Sequence, residues 1–308
     1  MPGTIPVQRR HLLALPLAMP FLSRAALAQG TVPVVASFSI LGDMLRQVGG
    51  DRVALRVIAG PDVDAHSFQP RPSDAEAVRG ARLVVRNGLG FDTWLDRLAR
   101  SAGYRGPIAT ASEGITPRKL DDDHGHGHDH AAQDPHAWQD LRHGQSYVRT
   151  IAAALAAADP EGADTYRANA GAYLARLADL DAWVRQQVAT VPEARRQVVT
   201  SHDAFGYFAA AYGVRFLAPQ GISTDSEPSA AEVARLIRLL KQQNITALFL
   251  ENMANPATLR RLAAEAGVKV LGRLYADALS PPNGPAPGYE AMFRHNLGLL
   301  VPAMKGEG

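Results

Sequence analysis

The 308-residue sequence contains no cysteine. That absence excludes disulfides, thiolate metal sites, cysteine nucleophiles and a lipid-modified cysteine together, so any bound metal must be held by imidazole and oxygen. A basic run is also missing. The 32 Lys and Arg and 30 Asp and Glu are spread along the chain for a formal charge of +2, which leaves no footprint for nucleic acid. The sequence has no helical H-E-x-x-H pattern of a metalloprotease. Its N-terminal apolar stretch, "HLLALPLAMPFL", is too short and too broken by proline to span a membrane.

That stretch reads instead as the centre of an export signal. Arg9 and Arg10 precede it, and Ala26 to Ala28 offer a small-x-small cleavage pattern before Gln29. Residues 1–28 are therefore expected to be a signal peptide taking the general secretory route, with the twin-arginine route as the alternative. The mature protein is expected in the periplasm as a soluble monomer. Its 46% hydrophobic and 20% charged residues suit ordinary globular domains, and its length is about twice that of one.

From residue 31 short β-branched runs alternate with helical stripes. "VPVVASF" is followed by Ile40, Leu41, Met44, Leu45 and Val48 at helical spacing, then by the strand-like "DRVALRVIAG" and the loop "PDVDAHSFQP". Ser73 with Glu76 predicts a capping box that opens the next helix. "RQVVTS", "VRFLAP", "ITALFLE" and "VKVLGRL" repeat the theme in the second half, where Ser229 with Glu232 predicts another box. The fold class is α/β, with parallel strands in two similar lobes: 29–140 and 193–308. Residues 141–192 between them carry almost no strand signal. A continuous helix from Glu161 to Thr190 would run roughly 40 Å, long enough to act as a rigid connector.

Three histidines sit beyond strands or in loops, each beside an acid: His66 in "VDAHSFQP", His136 in "QDPHAWQD" and His202 in "VVTSHDAF". Ligands of open parallel sheets bind beyond the carboxyl ends of the strands, and Asp277 in "LYADALS" is placed the same way. Three imidazoles and one carboxylate close a tetrahedral zinc shell. Asp225 or Glu227 could supply the carboxylate instead. Asp64, Asp134, Asp203 and Glu251 are candidates to hold the ligands from behind, although Glu251 fits equally a buried acid satisfied by backbone. A lone loop histidine is more often a surface residue than a ligand, so none of these carries weight by itself. His143 and His295 fall within helical patterns and read as structural.

In order, "DAHSFQP", "DPHAWQD", "SHDAFGYFAAAYG", "APQGISTDSEPSA", "LFLENMANP" and "LYADALS" resemble motifs of the periplasmic metal-binding proteins of zinc and manganese ABC importers, the cluster A-I substrate-binding family. The resemblance covers essentially the whole mature chain. It implies two α/β lobes joined by one long backbone helix, a metal in the interlobe cleft, and as partners an inner-membrane permease with its cytoplasmic ATPase. It also implies a binding protein, not an enzyme; a secreted zinc hydrolase is the reading from another class. His66, His136, His202 and Asp277 fall on the family's ligand positions. The family often carries a His- and Asp-rich insertion before the second ligand, and "DDDHGHGHDH" stands there, with His124, His126, His128 and His130 as accessory weak ligands. The chain departs from many members in reading Ala65, Phe68 and Gln69 around the first histidine. Manganese-type members tend to have glutamate at the third position. His202 there points to Zn2+ rather than Mn2+, because nitrogen-rich ligation suits the later metal. Capture needs deprotonated imidazoles, so affinity is expected to fall as pH drops through about 6.5.

Overall fold

The β-branched run Val32–Phe38 forms β1, and the strands around it follow the predicted alternation: β2 (Val53–Ala59), β3 (Leu83–Arg86) and β4 (Ile108–Thr110). They make one sheet in the order β2-β1-β3-β4, with every pairing parallel. Helices α1 (Ser39–Gly49), α2 (Pro72–Gly80) and α3 (Thr93–Ser101) supply the crossovers. The structure is a computed structural model and describes residues 3, 31–118, 133–225, 228–243, 245, 247–253 and 255–307. The predicted signal peptide apart from Gly3, the histidines from His124 to His130, and Glu227 lie outside the described residues.

The second lobe repeats the plan. β5 (Gln197–Val199), β6 (Arg215–Leu217), β7 (Leu248–Glu251) and β8 (Val270–Leu274) form a parallel sheet in the order β6-β5-β7-β8. In each sheet the chain reverses its direction of travel beside the central strand, β1 or β5. That reversal opens a crevice at the carboxyl ends of the strands.

Between the sheets run α4 (Leu141–Ala158) and α5 (Ala163–Ala189). The 27 residues of α5 make a rod of about 40 Å. Tyr166, Ala170, Tyr173, Leu177, Leu180, Val184 and Val188 are its buried face, three or four residues apart, so one stripe faces inward. Leu174 and Trp183, at helical spacing on the same helix, are only partly buried, and the Trp183 ring lies under the Arg294 guanidinium at 5.0 Å. Each fully buried apolar side chain contributes about 1.5–3 kcal/mol, so this stripe rather than helix propensity holds the rod in place.

After α5 come α6 (Gly206–Tyr212), α7 (Ala230–Gln243), α8 (Pro256–Ala266) and α9 (Tyr289–Lys305). One hydrophobic cluster runs without a break from Val34 in β1 through the connector to Met304 in α9; a smaller one lies under α7 and α8. A shared core resists the large hinge motion that a flexible crossover would permit. Among the described residues, no helix is long and apolar enough to cross a membrane.

One predicted helix start is displaced. Helix α2 begins at Pro72, and the Asp74 carboxylate accepts from the Arg71 N–H at 2.9 Å, so the Ser73–Glu76 pair is not the opening box. Proline is pre-set for the first helical position, which moves the start two residues back. Ser229 and Glu232 form their box as expected: Ser229 N donates to Glu232 Oε2 at 2.7 Å and Glu232 N to Ser229 Oγ at 3.2 Å.

Candidate metal centre

His66, His136, His202 and Asp277 come together in the crevice, with one ligand-type atom from each within 4.8 Å of all the others. His66 arrives on the loop after β2, and His202 lies three residues past β5. Asp277 lies three residues past β8, and His136 precedes the short turn Ala137–Gln139 that leads into α4. Asp225 is exposed, its backbone N–H donating to Ser223 Oγ, and is not part of this group.

The spacings are those of a coordination shell. His66 Nε2 lies 3.2 Å from His136 Nε2 and 3.2 Å from Asp277 Oδ2, while His202 Nε2 lies 3.0 Å from Asp277 Oδ2 and His136 Nε2 3.6 Å from Asp277 Oδ1. A tetrahedron with metal–ligand bonds of about 2.0–2.1 Å has edges of about 3.3–3.4 Å. Buried polar atoms are normally hydrogen-bonded, yet His202 Nε2 and both Asp277 oxygens approach each other without hydrogen-bonding geometry. A cation between them satisfies all three.

Two of the rings are fixed from behind by carboxylates. Asp134 Oδ1 accepts from the His136 backbone N–H at 3.0 Å and from His136 Nδ1 at 2.8 Å. The Glu251 carboxylate, at the end of β7, accepts from His202 Nδ1 with one oxygen and from the Ser201 and His202 backbone N–H groups, at 2.9 and 3.1 Å, with the other. Glu251 thus touches both the ring and the backbone. Because a carboxylate can only accept, each Nδ1 carries a proton, and each inward Nε2 is the nitrogen left to bind a metal once it is deprotonated. Changing Glu251 to Gln should cost ten- to a hundredfold in metal affinity, measured by calorimetric competition with a chelator. An unchanged affinity would mean that orientation of the His202 ring does not depend on this charge.

The other two expected partners behave differently. Asp64 accepts from the His66 backbone N–H at 2.9 Å, from Ser67 Oγ at 3.0 Å and from Thr224 Oγ1 at 2.7 Å, so its oxygens serve the loop and the opposite lobe. The Asp203 N–H donates to Gly221 O at 3.2 Å, and Asp203 lines a cavity with Phe216, Leu236 and Leu239. His143 sits edge-on to Tyr207, and His295 Nε2 donates to Arg273 O at 2.9 Å, both outside the centre.

Asn87 and Gln139 were not anticipated. Asn87, just past β3, donates to Pro135 O at 3.0 Å and accepts from Tyr147 Oη at 2.6 Å, which fixes the peptide preceding His136. Trp138 Nε1 and Gln139 Nε2 both donate to Ala276 O, at 2.9 and 2.8 Å, so the segments bearing His136 and Asp277 are tied to each other. The position of Asn87 at the carboxyl end of a parallel strand was the available signal.

The electrostatics favour a cation strongly. Burial works to lower the His136 pKa, but the Asp277 and Asp134 carboxylates outweigh it and raise it to about 9. For His202 burial again opposes, and Glu251 and Asp277 carry it well above the ordinary value. Burial would raise the Asp277 pKa, yet the two imidazoles hold it well below the carboxylate range. Without a metal, the carboxylates keep protons on these rings.

A family model described as ZnuA, zinc-uptake complex component A, periplasmic, matches residues 34–303. The manganese-binding lipoprotein MntA of Halalkalibacterium halodurans is 33% identical over 268 residues, 87% of each chain. The iron-binding protein YfeA of Yersinia pestis is 30% identical over 287 residues, 91% of each chain. Among solved structures, the periplasmic zinc binding protein TroA from Treponema pallidum superposes with a TM-score of 0.83 at 28% identity, covering 89% of this chain and 99% of that one.

Proposed function

The chain belongs to the family of the periplasmic zinc-uptake component A, substrate-binding proteins of ABC metal importers and not enzymes, and on that premise we propose that it captures Zn2+ and delivers it to a permease driven by a cytoplasmic ATPase. The names of the relatives span manganese, iron and zinc, so kinship leaves the metal open. The donor set supports zinc. Three imidazole nitrogens and one carboxylate oxygen match a closed tetrahedral shell, and the Irving–Williams order puts Mn2+ well below Zn2+ at such a site. His66, His136, His202 and Asp277 are the proposed ligands, with Asp134 and Glu251 orienting two of the rings. His124, His126, His128 and His130 are proposed as weaker accessory ligands. Export as a periplasmic monomer, with cleavage after Ala28, completes the reading.

The convergence of three inward-facing Nε2 atoms on Asp277 carries this proposal. Its test is metal content after purification together with competition between metals at one site. Zinc is expected to displace manganese with at least a hundredfold preference. Equal affinities would overturn the assignment of zinc, and failure to bind either metal would overturn the whole reading.

The pH dependence follows from the shifted rings. Metal and protons compete for the same nitrogens, and the metal-bound form holds no proton on Nε2. With the His136 pKa at about 9 and His202 also raised, affinity should strengthen as pH climbs from neutrality towards about 9. This window replaces the one near 6.5 expected from an unperturbed imidazole. Zinc added at pH 7.5 should release protons, seen as a dependence of the calorimetric heat on the ionisation enthalpy of the buffer. Heats independent of the buffer would contradict it.

A further inference from the structure

Of the four proposed ligands, three are fixed deep in the crevice. His136 and His202 have carboxylates on Nδ1, and the Asp277 segment is tied through Ala276 O. His66 differs: its side chain retains 5% exposure where the other three retain none, and it rides on the loop after β2. Side-chain bonds fix that loop to the opposite lobe. Thr224 Oγ1 donates to Asp64 Oδ2 at 2.7 Å, and Asn252 Nδ2 donates to Asp62 Oδ1 at 2.8 Å. Asp64 uses its other oxygen on the His66 backbone N–H, so one carboxylate grips both the ligand's peptide and the far lobe. Thr224 belongs to the "STDSEPS" stretch, whose described residues are not in the metal centre itself. Beside the bond lies a polar cavity of about 330 Å³ whose lining includes Asp64, Ser67, Ser201, Gln220 and Thr224.

We propose that the Asp64–Thr224 hydrogen bond is an interlobe latch that sets the rate of metal release, and that the polar cavity beside it is the route of exchange with water. The inference rests on metal capture at the proposed centre. An ion held by four donors must lose one first. His136 and His202 cannot withdraw without breaking buried, charge-assisted contacts, and Asp277 cannot without breaking the two bonds to Ala276 O, whereas His66 can leave with its loop. That movement must break the bond from Thr224 to a charged acceptor, and the cavity supplies polar groups and space for the water that replaces the imidazole.

The test uses the full chain loaded with one Zn2+ and mixed rapidly with excess chromophoric chelator. Thr224→Val keeps the shape and removes the donor, so release should be about tenfold faster. Thr224→Ser restores the donor and should return the native rate. Release from Thr224→Val at the native rate, or from Thr224→Ser as fast as from Thr224→Val, would overturn the latch. Native protein that retains no zinc would overturn metal capture instead, so the two failures are distinguishable.

Discussion

A His202→Ala variant should bind zinc on the order of a thousandfold more weakly than the native chain, beyond the ten- to hundredfold range of residues that merely orient a ligand. The substitution removes one of three nitrogen donors and leaves Asp277 Oδ2 without the neighbour now 3.0 Å away. It also strips the Glu251 carboxylate of its bond to Nδ1 in a fully buried setting. The loop should survive, because Glu251 Oε1 still accepts from the backbone N–H groups of residues 201 and 202. Loss of affinity can therefore be read as loss of a ligand rather than of the fold. Competition against a chelator of known affinity gives the magnitude, and melting curves give an independent view. Ligand at a hundred times its dissociation constant stabilises by about 2.7 kcal/mol, so zinc that raises the native melting point should barely move that of the variant. A loss under tenfold would remove His202 from the donor set.

Much of the fold is legible from periodicity alone. Strands at β-branched runs and the strand-free connector fall where the pattern puts them, because each reports a face that must be buried, while the start of α2 is displaced by its proline. The three histidines of the candidate centre stand out as loop or strand-end residues beside acids, but position leaves the carboxylate open among Asp277, Asp225 and Glu227, and the set of four comes from the family resemblance; the structure groups Asp277 with the histidines. What the sequence does not disclose is which acids reach the rings. Asp64 and Asp134 both stand two residues before a histidine and both accept from its backbone N–H. Only Asp134 goes on to the ring, because the free oxygen of Asp64 is drawn to Thr224, 160 residues away. Local spacing sets the first bond, and a long-range partner decides the second. Asn87 and Gln139 were hidden for the same reason: each acts on a peptide distant in sequence, and an amide at a strand end or in a turn reads as ordinary loop chemistry.

The largest effect on stability is expected at Trp138. Its indole is fully buried, 5.0 Å from the Phe38 ring, 4.8 Å from Phe91 and 5.2 Å from His136, so it fills the space between the first sheet and the centre. Its Nε1 donates to Ala276 O, and its own carbonyl accepts from Tyr289 Oη. Gly144 is required there, since a Cβ at that position would strike the Tyr289 hydroxyl. Trp138→Ala should cost about 3–5 kcal/mol, from lost burial and a cavity too well framed by aromatic rings to collapse. At roughly 2–4 °C per kcal/mol for a protein of this size, the metal-free melting temperature should drop by about 10 °C. Trp138→Phe separates packing from tethering. It keeps one aromatic ring and loses the N–H with part of the indole volume, so stability should fall by less than in Trp138→Ala while Gln139 alone remains to hold Ala276. Zinc affinity should then weaken severalfold, because Asp277 is the next residue and its carboxylate has no hydrogen bond of its own to fix it. If Trp138→Phe loses stability yet binds zinc as tightly as the native chain, the tie to Ala276 serves the fold and does not place Asp277.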